Sequence, residues 1–500
     1  MTLGNGQPLR ADAVVIGSGA GGAPAAALLA EAGLEVLVLE AGARLEAPDF
    51  SPLEAQATAA LGRMAVTADA GQNLYAGACV GGSTVVNDAL CFRTPPEVLE
   101  GWRRDHGLGD LDDTGFAPYL DRVWQDIHAE PTRRSHINRN AYRLELGARR
   151  LGWAGEAMPR SVRGCARLGR CNFGCPTNAK QSTLVTYVPR AERAGARILP
   201  RARAARVLVE AGQVRGVAVE ALDPSGRAVV EEFTVRTPIV CLAAGVLESG
   251  ALLLRSGLGG GAAGRGIQFH SSVHVTARFA EPIHGYYGPT MAFAIAEFSD
   301  VNGHAGPGFM IENTAVHPIV TANALPGFGA AHARAMEALP RLARAVVVLR
   351  DRARGFAELD DDGGARIHYR LESGDLARLG ASLAAAARAY LAAGALEVYL
   401  PIEGSAPVRR EAELASLGEH RLEPSRLSFL YAVHLFGGAV MGSSRADSVC
   451  SVDGACWDAR GLFVTDASGL PGNTGVNPQV TVMANALRIA EGIAAGRRPA

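Results

Sequence analysis

Three glycines near the N-terminus are spaced to hold a phosphate group. They form the pattern Gly17-x-Gly19-x-x-Gly22, directly after the apolar run Ala13–Ile16. The first glycine permits a sharp turn, the second lets the backbone approach a pyrophosphate, and the third allows a helix to pack closely on a strand. Glu40, just over twenty residues after the first glycine, is placed to accept hydrogen bonds from a ribose hydroxyl. The spacing therefore predicts a site for an adenine dinucleotide.

A second group of candidate residues consists of three of the eight cysteines. Cys165, Cys171 and Cys175 have the spacing Cys-x5-Cys-x3-Cys, and a proline follows the third. Closely spaced thiolates with such a proline can ligate an iron–sulfur cluster. Three ligands are one fewer than a usual zinc or four-iron site needs, and Cys79 and Cys91 are candidates for a fourth. A buried loop with structural thiols or a single disulfide is the simpler interpretation, and it is the one we expect.

A polar, turn-rich loop precedes the last helical pattern of the chain. The stretch TDASGLPGNTGVNPQVTVMANALRIAEGI runs from Thr465 to Ile493. A plain terminal helix needs no such preface, which indicates that the segment Gly475–Pro478 has a functional role. Pro478 suits the start of a helix, because its missing N–H would be unpaired there in any case.

The elements that position these residues follow from the apolar runs around them. Ala13–Ile16 and Leu34–Leu39 are predicted to be buried parallel strands, with an alanine-rich helix between them. A third buried strand, Ile239–Ala243, leads into Gly245 and another helix. The segment from Arg197 to Asp223 alternates like a β-meander. A meander inserted before a return strand is typical of flavoproteins.

Length and composition limit the class of protein. Five hundred residues exceed the size of a single core, so we expect two or more lobes. The net charge of −1 argues against nucleic acid or an anionic membrane as the main partner. No apolar run reaches the ~20 residues of a membrane-spanning helix. The N-terminal residues lack a secretion signal, and the number of cysteines does not indicate a secreted disulfide framework, so we expect a cytoplasmic protein.

Three segments resemble those of the glucose–methanol–choline (GMC) oxidoreductases, which are FAD enzymes that oxidise alcohols. They are YAGACVGGSTVVNDALCFRTP (Tyr75–Pro95), the strand and helix around Gly245, and the C-terminal stretch that includes AVHLFGGAVMG and the loop quoted above. The region from about Ser271 to Ser428 matches general family motifs poorly, as a variable substrate domain would. Parts of it resemble long-chain alcohol oxidases, and the C-terminal stretch also resembles bacterial cholesterol oxidases.

The resemblance implies an α/β fold in three parts. A discontinuous, Rossmann-like FAD-binding domain would comprise residues 1–98, 189–270 and 428–500. Residues 96–187 would form a lid and a cysteine-rich excursion, and residues 271–424 would form a substrate-binding domain whose antiparallel sheet roofs the flavin. Family members with covalent FAD attach it through a histidine near the Gly-Gly-Ser segment. Tyr75–Pro95 contains no histidine, so we expect non-covalent FAD.

The resemblance also implies a set of cofactor contacts beyond the glycine motif and Glu40. Asp466 would lie beside the ribityl chain, and the helix after Pro478 would point its N-terminus at the pyrimidine end of the flavin, where negative charge gathers on reduction. The expected additional contacts are Gly82, Ser83, Asn87, Ala205, Gly245, Asp466 and Pro478.

The chemistry implied by the resemblance is the oxidation of a CH–OH group to a carbonyl. A hydride would pass to flavin N5, and a histidine would take the hydroxyl proton. His434 is expected to be this base, and Asn477 is expected to donate its amide N–H to the developing alkoxide. We expect a hydrophobic or medium-sized alcohol as substrate. Glu312 and His317 are candidates for the pocket wall, although a structural role accounts for them equally well.

Other functions are compatible with the same residues. An iron–sulfur cluster at the three cysteines would make the protein a dehydrogenase that passes electrons to a partner protein instead of to oxygen. Hydroxynitrile lyases share the fold and keep FAD without using it for redox chemistry. A third alternative is an FAD-bound subunit that serves in electron transfer or assembly.

Overall fold

The computed structural model describes residues 9–109, 111, 112, 114–415, 417 and 422–496. The described strands are β1 (Leu9–Arg10), β2 (Ala13–Ile16), β3 (Val36–Glu40), β4 (Gly62–Val66), β5 (Asn73–Gly77), β6 (Ala129–Pro131), β7 (Gly155–Ala157), β8 (Pro159–Ser161), β9 (Arg197–Pro200), β10 (Ala202–Glu210), β11 (Gln213–Leu222), β12 (Val229–Arg236), β13 (Ile239–Leu242), β14 (Arg265–Arg278), β15 (Phe293–Ile295), β16 (Phe309–Asn313), β17 (Leu342–Leu349), β18 (Gly355–Leu359), β19 (Ala365–His368), β20 (Glu397–Tyr399), β21 (Tyr431–Phe436) and β22 (Leu462–Val464).

The described α-helices alternate with these strands along the chain. They are α1 (Gly22–Glu31), α2 (Glu54–Leu61), α3 (Ser83–Val86), α4 (Pro96–His106), α5 (Ala117–Asp126), α6 (Arg139–Leu151), α7 (Tyr187–Arg193), α8 (Val246–Arg255), α9 (Pro318–Ala324), α10 (Gly329–Glu337), α11 (Ser373–Ala392) and α12 (Gln479–Ala494).

A parallel sheet carries the N-terminal glycine motif. Its strand order is β22-β13-β2-β3-β9, and every pairing in it is parallel. The residues of β2 and β3 are all buried, as their uninterrupted apolar sequences require in a sheet covered on both faces. The predicted strands and the helix between them are confirmed, and β3 begins two residues later than expected.

The two ends of the chain meet in this sheet. Strand β22 lies beside β13, which in turn pairs with β2. Helix α12 packs against α1, so the last helix covers the same face as the first. This pairing brings the loop between β22 and α12 to the carboxyl edge of the sheet, where the glycine turn also lies.

The predicted meander is present, with one correction. Strands β10, β11 and β12 form antiparallel pairs, and β1 adds to β12. The first four residues of the predicted segment, Arg197–Pro200, form β9 and pair in parallel with β3 instead. The alternating pattern could not separate them, because both kinds of strand are partly buried here.

A large second sheet covers the carboxyl edge of the first. Its main path is β4-β5-β21-β14-β17-β16-β15-β7. Side chains on one face pack in the core shared with the parallel sheet, and those on the other face pack under α11 in a second core. Strands β18 and β19 form an antiparallel hairpin around Asp361–Gly364, where Asp-Gly residues favour a tight turn. We call this second sheet the roof sheet.

The roof sheet draws on segments that the sequence assigned to different domains. Strand β14 runs through the expected boundary between residues 270 and 271. Strands β4, β5 and β21 come from the expected FAD-binding blocks, and they pair in the roof sheet. The three-part division remains a prediction, and continuous strands cross its boundaries.

Within the described ranges, no helix is both long enough and apolar enough to cross a membrane.

Candidate active site

The glycine motif forms the tight turn that its spacing predicts. Gly17 has a φ of +98°, and a Cβ there would lie 2.2 Å from the carbonyl oxygen of Ala243. A Cβ on Gly22 would lie 1.9 Å from the carbonyl oxygen of Gly17. A Cβ on Gly19 would approach only the Cα of Gly82, at 3.6 Å. The first and third glycines are therefore required by packing, whereas the second leaves space between two chain segments.

Glu40 is part of a hydrogen-bonded network at the end of β3. Its Oε2 accepts from the N–H and the hydroxyl of Ser18, at 3.1 and 2.7 Å, and its Oε1 accepts from the N–H of Gly42 at 2.9 Å. The Ser18 hydroxyl also accepts from the N–H of Gly81. Burial raises the pKa of Glu40, and these hydrogen bonds oppose the rise. Two carboxylate oxygens can accept about four hydrogen bonds, so capacity remains for a ribose hydroxyl.

The segment from Gly82 to Asn87 lies between the glycine turn and the last helix. Gly82 has a φ of +52°, and the Ser83 hydroxyl accepts from the N–H of Gly77 at 2.9 Å. The Asn87 amide donates to the Gln479 side chain at 2.9 Å. These contacts fix the short helix α3 between two parts of the candidate cofactor site.

Asp466 joins the C-terminal segment to the third buried strand. Its Oδ2 accepts from the N–H of Gly245 and from the hydroxyl of Ser249, both at 2.7 Å, and Oδ1 accepts from Ser468. Protein groups thus occupy both of its oxygens. Ala205 lies on β10 at an irregularity of the strand pairing, and its carbonyl oxygen accepts from Arg255.

These residues fit an adenine dinucleotide cofactor. The N-terminus of α1 has no acidic residue in its first turn and no side-chain cap, so its positive end is not neutralised. Helix α12 begins in the same way after Pro478. The glycine turn and Glu40 would hold the pyrophosphate and a ribose. The flavin of a bound FAD would supply the acceptor for a hydride.

The structure brings His434 and Asn477 together at this edge. His434 lies on β21 of the roof sheet, and Asn477 lies in the loop before α12. The Asn477 Nδ2 atom is 3.4 Å from His434 Nε2. Asn473 fixes the loop by donating to the carbonyl oxygens of Phe269 and Asp351, at 3.1 and 2.7 Å. Strand pairing and loop docking therefore create a pair from residues that lie 43 positions apart.

A third side chain, His270, determines the hydrogen bonding of this pair. The backbone N–H of Gly475 donates to His270 Nε2 at 3.1 Å, and the two Nδ1 atoms of His270 and His434 are 3.1 Å apart. A backbone N–H can only donate, so His270 carries its proton on Nδ1 and donates to His434 Nδ1. His434 then carries its proton on Nε2, facing Asn477.

This assignment also orients the Asn477 amide. An Nε2–H on His434 is best matched by the amide oxygen, and Asn477 Oδ1 is the atom that otherwise has no hydrogen-bond partner among the described residues. With the oxygen turned to His434, the amide nitrogen is left to donate to a reacting oxygen, the role expected for Asn477.

Burial keeps both imidazoles neutral. It lowers the pKa of His434 to about 4. It also lowers the pKa of His270 well below its usual value, and the neighbouring His434 and Arg350 lower that pKa further. The physical reason is the cost of placing a charge in this enclosed site, which disfavours the protonated ring.

Glu312 is a further ionisable group beside this pair. It is 1% exposed on β16, and neither carboxyl oxygen has a hydrogen-bond partner of regular geometry among the described residues. Burial raises the pKa of Glu312 to about 8; the Asn477 amide is near enough to oppose this rise, and Asp88 adds to it. His317 has a structural contact instead, since its Nε2 is 2.7 Å from the carbonyl oxygen of Gly169.

Apolar side chains of the roof sheet lie on the same inner face as Glu312. Met310, Val346 and Val348 pack in the core shared with the parallel sheet, and their neighbours Ile311 and Val347 pack under α11. Because side chains alternate along a strand, Glu312 shares the inner face with Met310. No sequence signal pointed to His270, and the three-residue acidic and polar run Glu312–Thr314 was only a weak signal for Glu312.

The three clustered cysteines lie in the loop between β8 and α7. None of the eight cysteines is in a disulfide, and these three are partly exposed whereas the other five are buried. The described residues include no group of three His, Cys, Asp or Glu side chains arranged to hold a metal ion.

A parallel sheet with a glycine turn, a roof sheet that carries His434 and a loop that places Asn477 beside it are the arrangement expected of a dinucleotide-dependent oxidoreductase. Models of the two GMC oxidoreductase domains match residues 12–272 and 351–486. The chain belongs to the GMC oxidoreductase family. It is a flavin-dependent oxidoreductase that acts on CH–OH groups.

Relatives of known sequence agree with this assignment. An uncharacterised GMC-type oxidoreductase of Mycobacterium tuberculosis is 36% identical over 96% of this chain and 75% of its own length. A long-chain-alcohol oxidase of Arabidopsis thaliana is 30% identical over 97% of this chain and 67% of its own length. Among solved structures, pyridoxine 4-oxidase from Mesorbium loti has the same fold, with a TM-score of 0.72, 20% identity and coverage of 96% of this chain and 98% of its own.

Proposed function

We propose that this protein oxidises a hydrophobic or medium-sized alcohol to the carbonyl compound, with non-covalent FAD and with His434 and Asn477 at the reacting oxygen. The observation that carries the proposal is the 3.4 Å approach of these two side chains at the edge of the dinucleotide-binding sheet. They come from two separate segments and meet where the glycine turn and the start of α12 also lie.

His434 would take the hydroxyl proton at Nε2. For this, its own proton must lie on Nδ1, and His270 must accept a hydrogen bond there instead of donating one. His270 Nε2 would then carry a proton and lose the hydrogen bond from Gly475, which leaves a buried N–H unpaired at a cost of about 1–3 kcal/mol. A substrate hydroxyl that donates to His434 Nε2 favours this change of tautomer and offsets its cost.

Asn477 would stabilise the oxygen that loses the proton. Its Nδ2 would donate to the developing alkoxide, as a neutral amide that adds no second proton acceptor. The low pKa of His434 opposes transfer of the substrate's hydroxyl proton to this ring less than it opposes protonation of the ring from solvent. The proton moves between adjacent groups, so no net charge enters the enclosed site.

The substrate class rests on the inner face of the roof sheet. Met310, Val346 and Val348 form an apolar surface there, which suits an alkyl or ring group better than a sugar. The 30% identity to a long-chain-alcohol oxidase supports the same class. The absence of histidine from Tyr75–Pro95 supports non-covalent FAD.

The experiment is anaerobic reduction of the purified FAD enzyme by a panel of primary and secondary alcohols of increasing chain length. Bleaching of the flavin absorbance by apolar alcohols is the expected result. No bleaching, together with cleavage of cyanohydrins, would point to a lyase and contradict the proposal. Oxygen admitted after reduction distinguishes an oxidase from a dehydrogenase, because only an oxidase is reoxidised rapidly.

His434→Ala tests the assignment of the base. The variant should retain FAD and be reduced about 10²–10⁴ times more slowly, the usual contribution of a general base. The matched control is His304→Ala, a histidine in the turn after β15, which should be reduced at the wild-type rate. An unchanged rate in His434→Ala would remove the base assignment.

A further inference from the structure

The cysteine-bearing loop surrounds a small cavity that the proposed alcohol chemistry does not use. Cys165, Cys171 and Cys175 all line it, as do the loop residues Ala166–Arg170 and Pro176. Five other cysteines are buried elsewhere, so this cavity is where the described chain offers thiols to solvent.

Two fully buried cations lie at the base of this cavity. Arg160 is 1% exposed, and its Nη2 donates to Cys171 Sγ at 3.1 Å and to the carbonyl oxygen of Asp88 at 3.4 Å. The Lys180 ammonium group is also buried, and its Nζ donates to the carbonyl oxygens of Cys171, Val85 and Asn87. Both cations therefore bind the cysteine loop to the segment that precedes Asp88.

The charges around the cavity favour an anionic sulfur. Asp88 is the carboxylate that acts on both Arg160 and Lys180. Arg167 and Arg170 add further positive charge to the lining. Arg160 Nη2 lies at hydrogen-bond distance from Cys171 Sγ, so negative charge that develops on this sulfur during a reaction would be stabilised by a charge-assisted hydrogen bond.

Cys165 is the second thiol beside the same guanidinium group. Burial lowers the pKa of Arg160, but Cys171, Cys165 and Asp88 outweigh it, so that the net effect is a rise. Cys165 and Cys171 also line the same small cavity. Cys175 differs, because its hydrogen bonds come from neutral groups, the Thr177 hydroxyl and the N–H of Lys180. These lower the pKa of Cys175 against the effect of burial.

We propose that Cys171 and Cys165 form a peroxide-sensitive thiol pair, in which Cys171 is the nucleophile and Cys165 resolves it to a disulfide. The Cys171 thiolate attacks one oxygen of hydrogen peroxide, an S–O bond forms, the O–O bond breaks, and hydroxide leaves. The Cys165 thiol then attacks the sulfenic sulfur, an S–S bond forms, and water leaves. Two thiols and one peroxide give one disulfide and two waters.

The experiment uses the FAD-containing protein, reduced with a phosphine, freed of reductant and treated with hydrogen peroxide. Remaining thiols are alkylated, and tryptic peptides are analysed by mass spectrometry. Trypsin places Cys165 in Gly164–Arg167 and both other cysteines in Cys171–Lys180. The expected product is a cross-link between these two peptides, with fragmentation that assigns the bridge to Cys171 and an alkylated Cys175.

Two variants make the order of events testable. In Cys165→Ser the sulfenic acid on Cys171 has no resolving thiol, so it should accumulate and be trapped by dimedone at several times the wild-type yield. Cys175→Ser is the matched control from the same loop, and it should form the cross-link as the wild type does. Because the peroxide is added, the result does not depend on which alcohol the enzyme oxidises.

Three results would overturn the proposal. The first is equal alkylation of Cys165 and Cys171 with and without peroxide. The second is a bridge that includes Cys175 in the wild-type protein. The third is iron with acid-labile sulfide in the purified protein, lost in Cys171→Ser, which would show that the thiols are metal ligands.

Discussion

Glu312 should make the stability of this protein fall as the pH rises. The carboxyl is buried without a hydrogen bond of regular geometry to any residue that the structure describes, and burial raises its pKa from 4.5 to about 8. A carboxyl whose folded-state pKa is raised binds its proton more tightly in the folded protein. The protein therefore loses stability as the pH rises from the unfolded-state value towards the folded-state value.

The magnitude follows from these two pKa values. One pH unit corresponds to about 1.36 kcal/mol, so the full effect approaches about 5 kcal/mol above pH 8. For the same values, the cost is about 2 kcal/mol at pH 6 and about 4.7 kcal/mol at pH 9. Glu312→Gln keeps the shape of the neutral side chain and cannot ionise. The variant should therefore gain about 2.7 kcal/mol over the wild type between pH 6 and pH 9.

The assay is urea unfolding of both FAD-loaded proteins at pH 6 and pH 9, with the FAD content measured first. At each pH, the free energy of unfolding of the wild type is subtracted from that of the variant, which cancels a common contribution of FAD binding. The relevant quantity is the change in this difference between pH 6 and pH 9. Glu100→Gln, an exposed position on α4, is the matched control and should show no change with pH. A difference for Glu312→Gln that stays constant within about 0.5 kcal/mol would refute the reasoning, because the carboxyl would then be paired or solvated in the folded protein.

Two further predictions concern catalysis and cofactor binding. Because burial lowers the pKa of His434 to about 4, the rate of anaerobic flavin reduction should fall only as the pH drops towards 4. There the ring becomes cationic and stops accepting protons. A half-maximal rate near pH 6.5 would show that solvent reaches the ring. Gly22→Val should abolish FAD retention during gel filtration, since a Cβ there lies 1.9 Å from the carbonyl oxygen of Gly17, whereas Gly101→Ala on α4 meets nothing within 4 Å and should bind FAD normally.

Local sequence patterns correctly predicted strands of the parallel sheet. The runs Ala13–Ile16 and Ile239–Ala243 are short, wholly apolar and bounded by glycine, and each forms a buried strand in the structure. Residue-level signals were sufficient because the glycine turn requires particular residue types at fixed positions. The assignment of Arg197–Pro200 to the meander was wrong for the opposite reason, since partner strands and not local alternation decide where such a segment pairs.

The candidate catalytic pair could be named from the sequence only through family resemblance. Nothing in the spacing of 43 residues indicates that His434 and Asn477 meet. Their proximity depends on the pairing of β21 in the roof sheet and on the docking of the last loop through Asn473. The domain boundaries were harder still, because β14 pairs near its start with β21, which carries His434, and over the rest of its length with β17.

Residue types and their spacing were enough to predict the glycine turn and the acid after the second strand, and family resemblance added the expected base. The protonation state and tautomer of that base follow only from the folded environment. The hydrogen bonds of His270 and Gly475 set the tautomer of His434, and Glu312 is a buried carboxyl near its partner Asn477. Hydrogen-bond direction and desolvation depend on atoms that the fold brings together from separate strands and loops. Tautomers and buried charges are properties of an enclosed environment, and no local run of residues encodes them.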